Sequence, residues 1–167
     1  KSVDQALGLE PGGGQGRWLD VLELGCGRGS AGPRRRELAN RLSCVDLSPA
    51  ALALARATGA YDDLERGGVV ALTRALLPQT MDLVVAVDAV PYLGDLGDLL
   101  GAIANCLRPG GVAVFNADVL DDAACCGAVL LLDASKVQDV SNPRRASRGS
   151  PSFDARRGNP GKPPAEE

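Results

Sequence analysis

The sequence predicts an α/β fold, a doubly wound and mostly parallel sheet with helices on both faces. Short apolar runs alternate with helix-like segments through the middle of the chain, the pattern of strands joined by crossover helices. The first run carries an acid near its end and passes straight into glycines before a helix, at VLELGCGRGSAG, Val21 to Gly32. Only 3% of the 167 residues are aromatic, so the core must be built largely of alanine, leucine and valine, which suits helices packed on a parallel sheet.

Lys1 to Leu9 reads as the end of a helix and Pro11 to Gly16 as a glycine-rich linker, so residues 1–17 stand apart from a single domain expected over 18–140. Trp18 opens that domain, packing at its rim. The strands are expected at Val21 to Leu24, Ser43 to Leu47, Val69 to Leu72, Met81 to Val87 and Gly111 to Asn116. Ser48 is an N-cap followed by a first-turn Pro49, and the alanine-rich helix after it stops at Gly59. Leu93, Leu96, Leu100, Ile103 and Leu107 recur at three- and four-residue spacing, which defines a helix ended by Pro109 and Gly110. Beyond Asn116 the alternation fails. Ala117 to Ala124 fits neither class clearly, Ala128 to Leu132 reads as one further strand, and residues 141–167 read as a disordered tail of Pro, Gly, Ser and Arg. Neither an internal repeat nor a heptad pattern is found.

The formal net charge of −3 comes without a basic face or stripe, so nucleic acid is unsupported as a partner. Five cysteines, Cys26, Cys44, Cys106, Cys125 and Cys126, show neither a paired framework nor a metal-ligand spacing, and no histidine is present; no metal is expected, and a reducing compartment, the cytoplasm, is. No apolar run reaches membrane-spanning length.

The chemistry lies in the glycine loop, where the backbone must turn tightly and let a ligand approach without a Cβ in the way. Gly27 to Gly32 also spells GxGxxG, so a nicotinamide-dependent dehydrogenase has to be weighed. The glycines, however, begin at Gly25, immediately after the strand, as G-x-G-x-G. Glu23 lies at the C-terminal end of that strand, where it would repel a pyrophosphate but assist the ammonium end of a methionine. Asp46, about twenty residues after the loop, stands where an acid accepts hydrogen bonds from both ribose hydroxyls, or else caps the helix that follows; Leu47 offers an apolar edge to an adenine. Arg34 to Arg36 reads as a solvated charged face rather than a phosphate clamp.

Glu23 to Gly29, VDLSP at Val45 to Pro49, DLVVAVDAV at Asp82 to Val90 and LRPGG at Leu107 to Gly111 together resemble class I S-adenosylmethionine-dependent methyltransferases. Within that group, ATGAYDDL at Ala57 to Leu64 and AVPYLGDL at Ala89 to Leu96 resemble the predicted methyltransferases associated with tetratricopeptide repeats. The resemblance spans about Leu19 to Ala117 and implies a Rossmann-like sheet, S-adenosyl-L-methionine as cofactor and an unidentified methyl acceptor. It implies Glu23, Gly25, Cys26, Gly27 and Gly29 around the methionine, Asp46 and Leu47 at the nucleoside, and Asp88 at the methyl-transfer pocket. Asp88 and Tyr92 are the candidates, by location, for removing an acceptor's proton, although Asp88 could instead cap a turn. The departures are two. Gly67 and Gly68 stand where relatives carry an adenine-binding acid, with Asp62 or Asp63 nearby. The C-terminal part, which closes the sheet in the family, is missing or divergent, which leaves the closure incomplete; a fifth strand left as a bare edge would pair with a partner or a second copy, unless Ala128 to Leu132 covers part of it. A truncated, inactive cofactor-binding relative is the competing reading.

Overall fold

The computed structural model describes residues 19–87, 89, 96–121 and 124–141. Trp18, the segment before it and residues 142–167 of the expected tail lie outside the described residues. Among the described residues, the strands are β1 (Leu19–Leu24), β2 (Ala39–Asp46), β3 (Asp63–Arg66), β4 (Met81–Ala86), β5 (Leu107–Asp121) and β6 (Ala124–Asp133). The helices are α1 (Gly32–Arg36), α2 (Pro49–Ala57), α3 (Val69–Ala75), α4 (Leu96–Cys106) and α5 (Ala134–Ser141).

The strands form one sheet in the order β3-β2-β1-β4-β5-β6, parallel except for the β5–β6 pair. The chain winds outward from β1 through β2 to β3, then returns to the other side of β1 with β4. That reversal is a topological switch point, and ligands of such sheets bind beyond the carboxyl ends of the strands there.

Alternation along the strands divides the core by face. Leu22, Leu24, Val45, Val84 and Ala86 pack with Leu99, Ile103 and Cys106 of α4, with Val137 of α5, and with Val69, Val70 and Leu72 of α3. On the opposite face Val21, Leu42, Leu83, Val85 and Val114 form a second cluster, and Cys44 meets Leu52 and Ala55 of α2 in a third. Ser48 caps α2 as expected, its Oγ accepting from the Ala51 amide at 3.2 Å, and Gly59 follows the helix end with φ +68°.

Three expectations are corrected. Val69 to Leu72 is not a strand but the start of α3, with Gly68 as its N-cap; the third strand is the polar DLER of Asp63–Arg66, half-buried to exposed. An edge strand paired, among the described residues, only to β2 buries too little to need an apolar run, while the valines face the core from a helix. Helix α4 ends at Cys106, not at Pro109. Leu107 already pairs with Met81, and residues 108–111 bulge out before pairing resumes at Leu83 and Val112. From that bulge Arg108 donates to Asp82 at 2.6 Å and to Asp20 at 2.9 Å, and Asp82 also accepts from the Asp20 amide at 3.0 Å, so the amino-terminal edges of β1, β4 and β5 are bridged.

The third correction concerns the sheet closure. The far edge of β5 is not bare, because β6 pairs with it antiparallel from Val112–Asp133 to Asp121–Ala124. One returning strand is present among the described residues. The pairs from Asn116 onward lie past the last β4 partner, Ala86–Phe115, so a two-stranded ribbon extends beyond the carboxyl end of the sheet.

Leu22, 2% exposed at the centre of the larger cluster, tests this packing. Leu22→Ala should lower stability by about 2–5 kcal/mol through lost transfer energy and a cavity, read as a reduced urea midpoint with an unchanged slope.

Candidate cofactor site

Beyond Leu24 the chain makes the turn expected of it, with Gly25, Gly27 and Gly29 at φ of +73°, +54° and +74°. Two of these positions are closed to side chains on spatial grounds as well. A Cβ at Gly25 would lie 2.9 Å from the Ala89 Cβ, and one at Gly29 would lie 2.8 Å from the Ala55 Cα. Gly27 differs, because among the described residues nothing lies within 4 Å of where its Cβ would be.

The loop is tied to the end of β2 at three successive residues. The Gly25 amide donates to the Val45 carbonyl at 2.7 Å, Cys26 is joined to Cys44 in a disulfide with a Cα separation of 6.0 Å, and the Gly27 amide donates to Asp46 Oδ2 at 2.8 Å. The other Asp46 oxygen accepts from the Ser48 amide at 2.8 Å, and the Asp46 carbonyl accepts from the Gly67 amide at 3.1 Å. Each carboxylate oxygen has two lone pairs, so Asp46 retains acceptor capacity on both. Leu47 beside it is 70% exposed, high for a large apolar side chain.

The disulfide corrects the expectation of unpaired cysteines. Cys26 and Cys44 lie 18 residues apart, a spacing that carries no signal by itself; only the parallel register of β1 and β2 brings them together. Cys106 is a free thiol buried behind the sheet, its pKa raised to about 11 by burial.

Glu23 is 5% exposed and turned into the protein. One carboxylate oxygen pairs with the Arg35 guanidinium, and the other accepts from the Tyr61 hydroxyl at 2.9 Å. A buried carboxylate needs such partners, since its desolvation is otherwise uncompensated. Tyr61 also forms the back wall of the loop, because a Cβ on Gly32 would come within 2.6 Å of its ring. Arg34 to Arg36 is therefore not simply a solvated face: Arg35 is 7% exposed, and Arg36 pairs with Asp62 and donates to the carbonyls of Ala39 at 3.1 Å and Asn40 at 2.8 Å.

Asp62 and Asp63 lie at the opposite, amino-terminal end of β3. Asp62 accepts from the Leu42 amide at 2.8 Å, the main cause that lowers its pKa, and Asp63 accepts from Arg41 Nε at 2.8 Å and Ser43 Oγ at 3.2 Å. Neither is near Asp46 and Leu47. Asp88 and Tyr92 lie outside the described residues. The roles of Arg35, Tyr61 and Cys44 escaped the sequence reading, since they come from packing across elements rather than from any local pattern.

Residues 22–113 match the Methyltransferase domain family, and the chain belongs to that family. Its fold and its relatives are those of class I S-adenosylmethionine-dependent methyltransferases. It is 32% identical over 96 residues to malonyl-[acyl-carrier protein] O-methyltransferase of Yersinia pestis, across 58% of this chain and 35% of that protein. An S-adenosylmethionine-dependent methyltransferase from Mesorhizobium loti superposes with a TM-score of 0.53 at 30% identity, over 60% of this chain and 47% of the other. A Haloferax volcanii complex of the Trm112 methyltransferase activator with a methyltransferase gives a TM-score of 0.60 at 26% identity, over 71% and 52% of the two chains. The chain thus spans about one-third to one-half of the length of these proteins. A nicotinamide-dependent dehydrogenase, suggested by GxGxxG at Gly27 to Gly32, is not favoured by these matches, and the narrower likeness to methyltransferases attached to tetratricopeptide repeats rests on motifs alone.

Arg35→Met strands the Glu23 charge and should cost about 3–5 kcal/mol in chemical denaturation. The double variant Glu23→Gln/Arg35→Met should recover most of that loss. The Tyr61 phenol is held above its ordinary value of 10.0, chiefly by burial and against the opposing pull of Arg35. Its contribution to stability is complete below pH 10.0 and is lost as pH rises through the folded-state value. Tyr61→Phe should accordingly flatten the alkaline end of a pH–stability profile.

Proposed function

We propose that this domain binds S-adenosyl-L-methionine across the carboxyl ends of β1 and β2 and directs its methyl group to an acceptor held beside β4. The observation that carries the reading is the Gly27–Asp46 junction: an open glycine backbone anchored to a carboxylate with spare acceptor capacity, beside an exposed apolar Leu47. These residues fit the group. Asp46 can accept from ribose hydroxyls, Leu47 can cover one face of an adenine, and the backbone of Gly25, Cys26, Gly27 and Gly29 can line the methionine end. Glu23 acts from behind the loop, fixing α1 and Tyr61 against it, with its own charge balanced by Arg35.

When bound, the cofactor supplies an electrophilic methyl on a sulfonium. This chain's residues then mainly align and exclude water, since a direct displacement gains most from correct placement of the acceptor. Asp88 and Tyr92 follow β4 in sequence and are the candidates for accepting a proton where the acceptor must lose one. The extended β5–β6 ribbon is suited to flank the acceptor or to receive a partner subunit. No helix among the described residues is long and apolar enough to cross a membrane.

Titration calorimetry with S-adenosylhomocysteine tests the reading, with binding expected and none expected for NADH; the reverse result would overturn it. Asp46→Ala should retain the circular dichroism spectrum and weaken S-adenosylhomocysteine affinity by about 10- to 100-fold, the effect of losing hydrogen bonds to a charged acceptor. Unchanged affinity would remove Asp46 from the site. Binding without methyl transfer to any acceptor pool would identify a cofactor-binding relative that has lost catalysis.

A further inference from the structure

We propose that Cys26 and Cys44 form a redox-modified pair that sets the cofactor affinity of the glycine loop, an inference that rests on the cofactor reading above. The pair sits inside the site. Cys26 lies between the two glycines that donate to β2, and Cys44 lies two residues before Asp46. Of the three ties between the loop and β2, two are hydrogen bonds from the Gly25 and Gly27 amides and the third is this disulfide. It is the only covalent tie of the three. Removing it leaves a glycine-rich turn, built of the residues with the most conformational freedom to regain, tied to β2 by hydrogen bonds alone. The oxidised form therefore presents a loop already ordered for a ligand, and the reduced form must order it on binding.

The chemistry balances with a glutathione-type disulfide as oxidant. Cys26 is the more accessible residue of the two, 8% exposed against 1% for Cys44, and reacts first. Its thiolate attacks one sulfur of the oxidant and expels one thiolate. The Cys44 thiolate then attacks the Cys26 sulfur of the mixed disulfide and expels the second. Two electrons pass from the protein to the oxidant, and the two thiol protons end on the released thiols. Dithiothreitol reverses both steps. In a reducing compartment the pair would rest as thiols and close under oxidation. Cys106 lies in the cluster on the other face of the sheet.

The test compares the whole chain after dithiothreitol and after oxidised glutathione. Denaturing alkylation and peptide mapping should show a Cys26–Cys44 link only in the oxidised sample, and calorimetry should show S-adenosylhomocysteine binding about tenfold weaker after reduction, the scale of a loop-ordering penalty. Cys44→Ala and Cys26→Ala should each abolish the redox response, while Cys125→Ser/Cys126→Ser should preserve it. Failure to form the link, or equal affinity in the two states with the link present, overturns the proposal while leaving the cofactor reading intact. Absence of binding in both states overturns the cofactor reading and this regulation with it.

Discussion

The structure depends on how the end of β1 is held against the end of β2. A strand buried on both faces has to stop abruptly for a ligand to approach the sheet, and the stop requires backbone angles that side-chain-bearing residues rarely adopt. Three glycines supply the angles, yet glycines alone would leave the turn loose. Its form comes from the neighbouring strand, which provides a carbonyl at Val45, a sulfur at Cys44 and a carboxylate at Asp46. The same Asp46 accepts from the Ser48 amide at the start of α2 and, through its carbonyl, from the Gly67 amide after β3, so loop, helix and edge strand converge on one residue.

Behind the loop a second constraint operates. Glu23 is a buried acid in a strand otherwise apolar at its centre, and a buried acid is tolerated only where its oxygens find donors. Arg35 and Tyr61 supply them from two different elements, which fixes α1 and the segment before β3 relative to the turn. The loop is thus gripped in front by β2 and backed by a satisfied polar cluster.

How much of this was legible in the sequence depended on where each residue's partners lie. The central strands β1, β4 and the first half of β5 are covered on both faces, and this forces continuous apolar runs that any periodicity reading finds. The glycine loop and the Ser48–Pro49 helix start are local in sequence and were equally readable. The edge strand Asp63–Arg66 was not, because a strand with one neighbour and little burial has no composition to betray it, and the Val69–Val70 pair nearby drew the assignment away. The returning strand β6 was only partly visible, since the sequence joining it to β5 carries no strong hairpin signal. The Glu23–Arg35–Tyr61 cluster and the Cys26–Cys44 link are products of strand register, which brings Glu23 opposite Cys44 and which no linear pattern encodes.

The bridge made by Arg108 to Asp20 and Asp82 gives the domain a mechanical polarity. Three strands are locked together by ionic contacts at one rim, while at the other rim β1 gives way to the glycine turn and β5 runs on as a ribbon with β6. The clamped rim is the fixed base of the domain, opposite the rim at which cofactor binding is proposed.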